Sequence, residues 1–289
     1  MPKLPGRNLT AAVIDPQTEW TRRRLQVLLG GILAVVLAMV AGAVWSGFTM
    51  LIGGPTTTDD HGTSGTSADG PAQSDENQLA NELLPTAPLE AAQPGSLSSG
   101  QTGTILIPAP MKVGPVGVAT GLPHTPEGAL AQLAAIDTTA LTSASVRVAQ
   151  GVITAWAAPG GPTTESWSGV QAVATLLGSA GTSADGAGSL TVGAEPTMGF
   201  IKGTVGKDFV IPCIDFIVTA TATSTTSTGR PARVAAADCQ RMVWQDDAAN
   251  PSGGRWVIGP GEEPAAAPSL WPGSQDSFDA GYQWLEVPQ

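Results

Sequence analysis

Asp215 is the residue on which an acid–base reading would rest, since it is the one acid inside the strongly apolar run Phe209–Thr223. A carboxyl group buried in such a strand keeps its proton to higher pH and can serve as a general base. A ligand-binding head would predict a sizeable apolar cavity between helices and sheet, near Asp215 and Trp156. The competing reading puts Asp215 on the wetter face of the sheet, or pairs it with Arg233 or Arg241. Trp244 and Trp256 flank a turn at the ends of neighbouring strands and suit a packed pair better than a ligand cage.

Other chemistries find little support. His61 and His124 are isolated, and no Cys pair or His-x-x-x-His stands at metal-ligand spacing, so no metal is expected. A Ser or Cys nucleophile needs a His base, and only His124 is near the folded part. There is no Gly-x-Ser-x-Gly elbow, and the Gly-rich stretch 178–188 lacks the Lys-Ser/Thr that a phosphate loop requires. The chain is expected to be no enzyme and to carry no cofactor.

Cys213 and Cys239 have the same parity along the chain. If they face each other across a hairpin, the turn centres on Thr226, inside the polar run Ser224–Thr228. Directly opposed antiparallel residues lie within disulfide reach. The spacing therefore predicts a Cys213–Cys239 bridge, with two buried free thiols as the alternative.

The elements that must position these residues begin near Gly121. Thr125-Pro126-Glu127 has the form of an N-cap, a first-turn proline and a first-turn acid. Ala129, Leu130, Leu133, Ala134 and Ile136/Asp137 then repeat at helical spacing. Ser145 opens a second helix carrying Val148, Val152, Ile153 and Trp156, and Pro159–Pro162 stops it. A third helix is expected over Thr164–Ser179. Strands follow at Leu190–Phe200, Phe209–Thr223, Arg233–Trp244 and Arg255–Ile258. Helices followed by an antiparallel meander make an α+β domain of about three helices on an antiparallel sheet, spanning 121–289 with a C-terminal tail.

The rest of the chain points to a membrane. Val27–Ile52 has no charged residue and is long enough to span a bilayer, so 25–53 is expected to be a single transmembrane helix. Arg22, Arg23 and Arg24 abut its N-terminal end and put 1–24 in the cytoplasm as a short arm. A cleaved signal peptide, or a twin-arginine signal at Thr21–Leu25, is the competing reading of this segment. Residues 54–120 are rich in Gly, Pro, Ser and Thr and are expected to be a flexible linker. Within them Gln78–Leu84 suits a helical turn or two and Thr104–Ile107 a short strand, neither enough to found a domain. At about 70 residues such a linker has a root-mean-square span of roughly 45 Å.

Charge sets a further bound. The net charge is −11; up to Arg24 there are five basic and two acidic residues, and beyond it 8 basic and 22 acidic. An acidic exterior argues against direct nucleic-acid binding, which needs clustered Lys and Arg.

The order of anchor, linker, Gly121-Leu122-Pro123-His124-Thr125-Pro126-Glu127-Gly128-Ala129, strands with Trp244 and Arg255-Trp256-Val257, and the tail Gly281-Tyr282-Gln283-Trp284 carries a resemblance. It resembles the single-pass membrane proteins encoded with actinobacterial integrative conjugative elements. Their exterior part is similar to the nuclear-transport-factor-2-like cone of type IV secretion scaffolds and TcpC-like conjugation proteins. The resemblance covers Leu25–Ile52 and Gly121–Trp284. It implies a structural, usually oligomeric subunit of a conjugative DNA-transfer apparatus, bound to the membrane and to other transfer proteins, and carries over no catalytic residue. The competing functions are a cell-surface ligand- or polymer-binding head and a signalling protein acting through its cytoplasmic arm.

Overall fold

The computed structural model describes residues 71–184, 190–222, 229–247 and 253–287. The expected arm, the anchor at 25–53, Arg22–Arg24 and the first part of the expected linker lie outside the described residues. Among the described residues no helix is long and apolar enough to cross a membrane.

Five α-helices are described: α1 (Pro71–Asn81), α2 (Pro126–Thr142), α3 (Val146–Trp156), α4 (Ser168–Ser179) and the short α5 (Gln275–Asp279). The strands are β1 (Thr104–Leu106), β2 (Lys112–Val113), β3 (Ala119–Thr120), β4 (Leu190–Val205), β5 (Phe209–Ala222), β6 (Ala232–Cys239), β7 (Met242–Asp246), β8 (Gly254–Ile258) and β9 (Gln283–Glu286). The domain is α+β, as expected. Its sheet is mixed rather than antiparallel, because β1 runs parallel to β9. The order is β1-β9-β4-β5-β7-β8, with β6 also on β5.

Local chemistry explains the helix starts. Thr125 Oγ1 accepts a hydrogen bond from Gly128 N at 3.1 Å, with Pro126 in the first turn. A Cβ on Gly128 would stand 2.1 Å from Pro123 O, so only glycine lets the chain enter α2 this tightly. Ser145 caps α3 through Val148 N. Helix α4 starts at Ser168, later than the sequence pattern suggested, because Thr163 and Ser166 tie the preceding residues into a side-chain-bonded turn.

Prolines shape the sheet for a related reason. The expected strand Arg233–Trp244 is two strands, β6 and β7, lying in one register along β5. The ladder breaks at Gln240-Arg241, beside Pro212, which has no N–H to offer. Strand β4 changes register after Pro196 and again between Ile201 and Gly203, bulges that bend and twist a strand.

Both faces of the sheet are covered. On one, α2, α3 and α4 bury Val210, Ile214, Phe216, Val218 and Ala220 of β5 together with Trp156, Trp167 and Trp256. On the other, Phe209, Ile211 and Cys213 join Met198, Ala237 and Cys239 under Ala80 of α1 and Ala267, Leu270 and Tyr282 of the C-terminal segment.

The linker expectation for 54–120 is therefore corrected over 71–120. Ala80, Ala92, Ile107 and Val118 are buried in the two cores. Lys202 Nζ donates to Ala80 O at 3.0 Å and to Glu82 O, holding the C-terminal end of α1 on β4. The few apolar residues of this polar stretch each find a preformed slot, and the rest of the domain supplies the buried area that the segment lacks alone. The tail is corrected likewise: Gln283–Glu286 enters the sheet as β9, between β1 and β4.

Candidate functional site

Asp215 is fully buried, and neither carboxyl oxygen has a hydrogen-bond partner. Burial pushes its pKa well above the ordinary carboxylate range. It shares the second face with Cys213 and Ala237, whereas Trp156 belongs to the helix-covered core. The pocket expected between Asp215 and Trp156 is thus not formed, because successive residues of a strand point to opposite faces and Asp215, two residues from Cys213, shares the face of Cys213. The alternative is corrected too. The face is not wet, Arg241 Nε donates to Glu262 O at 2.8 Å, and Arg233 sits over the Trp271 ring at 5.7 Å.

Trp156 is fully buried. Its indole N–H donates to Pro115 O at 3.2 Å, and the Arg255 guanidinium lies 5.1 Å from its ring centre. Trp244 and Trp256 are packed edge to face, 5.4 Å apart. His124, read from the sequence as an isolated histidine, stacks on Trp244 at 4.1 Å and places Nε2 2.8 Å from Asp208 Oδ1. Lys207 also binds Asp208, and that contact chiefly holds the Asp208 carboxyl below its usual range.

The two cysteines form the expected disulfide. Cys213 and Cys239 are register partners with Cα atoms 4.2 Å apart.

The densest set of titratable groups is one that the sequence reading did not assemble. Asp137 lies on α2 within the buried stripe that includes Leu133, Ala134 and Leu141. Asp238 lies on β6 with its neighbour Ala236 against the helix side. Glu263 follows β8 and accepts from Ser168 N at 2.9 Å and Ser168 Oγ at 3.1 Å, which sets its carboxylate at the N-terminus of α4. Gln240 Nε2 donates to both oxygens of Asp238, at 3.3 and 3.1 Å. The helical repeat of α2 carried one signal, an acid at an apolar position; nothing in the sequence linked it to Asp238 or Glu263.

Burial is the main force on all three acids, and mutual repulsion adds to it. Asp137 is held well above the usual range by burial, then by the charges of Asp238 and Glu263. Asp238 is pushed up to about 7 by burial and Glu263, against the Gln240 and backbone hydrogen bonds that favour its ionised form. Glu263 is raised by burial against the Ser168 hydrogen bonds. Asp137 Oδ2 is buried without a hydrogen-bond partner. Asp137, Asp238 and Ser168 line a cavity of about 20 Å³ whose other walls include Ala140, Leu141, Ala172 and Phe216. That is room for one water-sized group. Among the described residues, no three His, Cys, Asp or Glu side chains are arranged to hold a metal ion.

No family model, curated protein or solved structure matches the chain.

Proposed function

We propose that the chain is a non-enzymatic, membrane-anchored scaffold subunit of a conjugative DNA-transfer, type IV secretion-like apparatus. Its arm 1–24 lies in the cytoplasm, its anchor at 25–53 crosses the membrane once, and the domain from Pro71 onward is a cone-like, nuclear-transport-factor-2-like head outside the cell. It works as an oligomer through contacts with other transfer proteins.

One observation carries the reading. The space between α2–α4 and the sheet, where a binding head of this layout would hold a large ligand, is filled by Trp156, Trp167 and Trp256, each 0–1% exposed. A core packed in this way supports a rigid spacer with work on its outer surface. The turn region from Met111 to Val116 supports the same reading. It presents Met111, Val113 and Val116 to solvent beside α3, and clustered exposed apolar side chains suit contact with other proteins.

The test is crosslinking of the full-length protein in its native membrane, with captured proteins identified by mass spectrometry. Capture of a DNA-transfer ATPase or of transfer-channel subunits, reduced in Val113→Asp and Val116→Asp variants that melt normally, is expected. Recovery of only a cytoplasmic regulator or an envelope-polymer enzyme would overturn the proposal.

A further inference from the structure

We infer that the crevice between α2, the N-terminus of α4 and β6 is a binding site for the primary ammonium group of an alkylamine, taken up by Asp137 and Asp238 with Glu263 behind them.

Three features lead there. First, the acids stand together and accept from neutral donors: Gln240 Nε2 on Asp238, and Ser168 N and Oγ on Glu263. Burying like charges this closely costs free energy, which a cation entering the site would recover. Second, Asp137 lines the cavity and is 5% exposed, and its Oδ2 is buried without a hydrogen-bond partner. A buried acceptor left in this state marks a missing donor. Third, the cavity of about 20 Å³ has the size of one small polar head and walls of Ala140, Leu141, Ala172 and Phe216. An –NH₃⁺ group brings three donors on a compact charge. Its methylene stem would lie along the apolar wall and leave past Ser168, Gly169 and Asp238, lining residues that are only half-buried. The acids are not set as a metal shell. A guanidinium is too broad for the cavity, and a quaternary ammonium has no N–H for Asp137 Oδ2.

The ammonium can come from a free diamine or from a lysine side chain of another protein, and the test separates the two. Titration calorimetry on the full-length protein in detergent would use butylamine, 1,4-diaminobutane and Nα-acetyl-lysine amide, with tetramethylammonium and guanidinium as controls. Saturable one-to-one binding at pH 8 is expected for the primary amines and not for the controls. Affinity should fall at least tenfold between pH 8 and pH 5.5. Below pH 7 binding should release a proton, seen as a heat that depends on the buffer, and this readout needs no variant. Asp137→Asn and Asp238→Asn, with melting checked, should each weaken binding at least tenfold, while the distant exposed Glu195→Gln should not. Tighter binding of the lysine amide assigns a protein partner, and tighter binding of the diamine a free amine. Lack of saturation by butylamine at pH 8, binding without proton release, or equal binding by the Asp137/Asp238 double variant would overturn the inference.

Discussion

Cys213 and Cys239 face each other in register on β5 and β6, bonded through their sulfurs and buried under α1 and the C-terminal segment. The bridge joins positions 26 residues apart. A crosslink over such a loop stabilises a fold by about 3.5 kcal/mol on chain-entropy grounds.

Replacing both cysteines by serine should therefore lower unfolding free energy by roughly 2–4 kcal/mol. Denaturant melts of wild type and variant would read this directly. Burial of both sulfurs also predicts that the native bond resists mild reductant until the protein is partly unfolded. Equal melting of the two forms would show that the bridge adds nothing.

The acidic crevice makes stability depend on pH in an unusual direction. Asp238 has a folded pKa of about 7, and Asp137 and Asp215 are also raised by burial. An unfolded aspartate titrates near 3.9. Between about pH 4 and 7 the folded state thus binds more protons than the unfolded one, and stability falls as pH rises. Chemical denaturation across this window should show that decline, and Asp238→Asn should flatten it. A profile that rises from pH 4 to 7 would contradict the burial of these groups.

Asp215 makes a sharper case. Its two oxygens are buried and unpartnered on the second face of the sheet. Asp215→Val removes the unsatisfied group and suits a central strand, so it should stabilise the protein at pH 8 by about 1–3 kcal/mol. Loss of stability in that variant, with normal secondary structure, would reveal a partner for the carboxyl group.

Helix α1 rests on β4 with the Leu79 side chain packed directly over Gly203. A Cβ at Gly203 would stand 2.7 Å from Leu79 Cδ1. Gly203→Val should dislodge α1 at a cost of about 1–3 kcal/mol. Hydrogen exchange would then show residues 71–81 unprotected while α2–α4 keep their protection. Unchanged protection of α1 would mean that its hold lies elsewhere, in Lys202.

Periodicity and local chemistry determine a good part of this molecule. The caps at Thr125 and Ser145 and the face of β5 that bears Val210, Ile214 and Phe216 follow from neighbours a few residues apart, and the pairing of Cys213 with Cys239 follows from the register of one hairpin. Such features are set by backbone geometry of short range, so they can be read in order along the chain. The second face of the sheet cannot. Whether Asp215 meets water or a covering layer depends on where Ala80 and Tyr282 come to rest, and both belong to stretches whose own composition argues for loop or tail. The same holds for the crevice. Asp137, Asp238 and Glu263 come from a helix, a strand and a loop far apart in sequence, and only the packing of α2 and α4 on β6 brings their charges together. Contacts of that kind are decided by the summed burial of the whole domain, which no local pattern encodes.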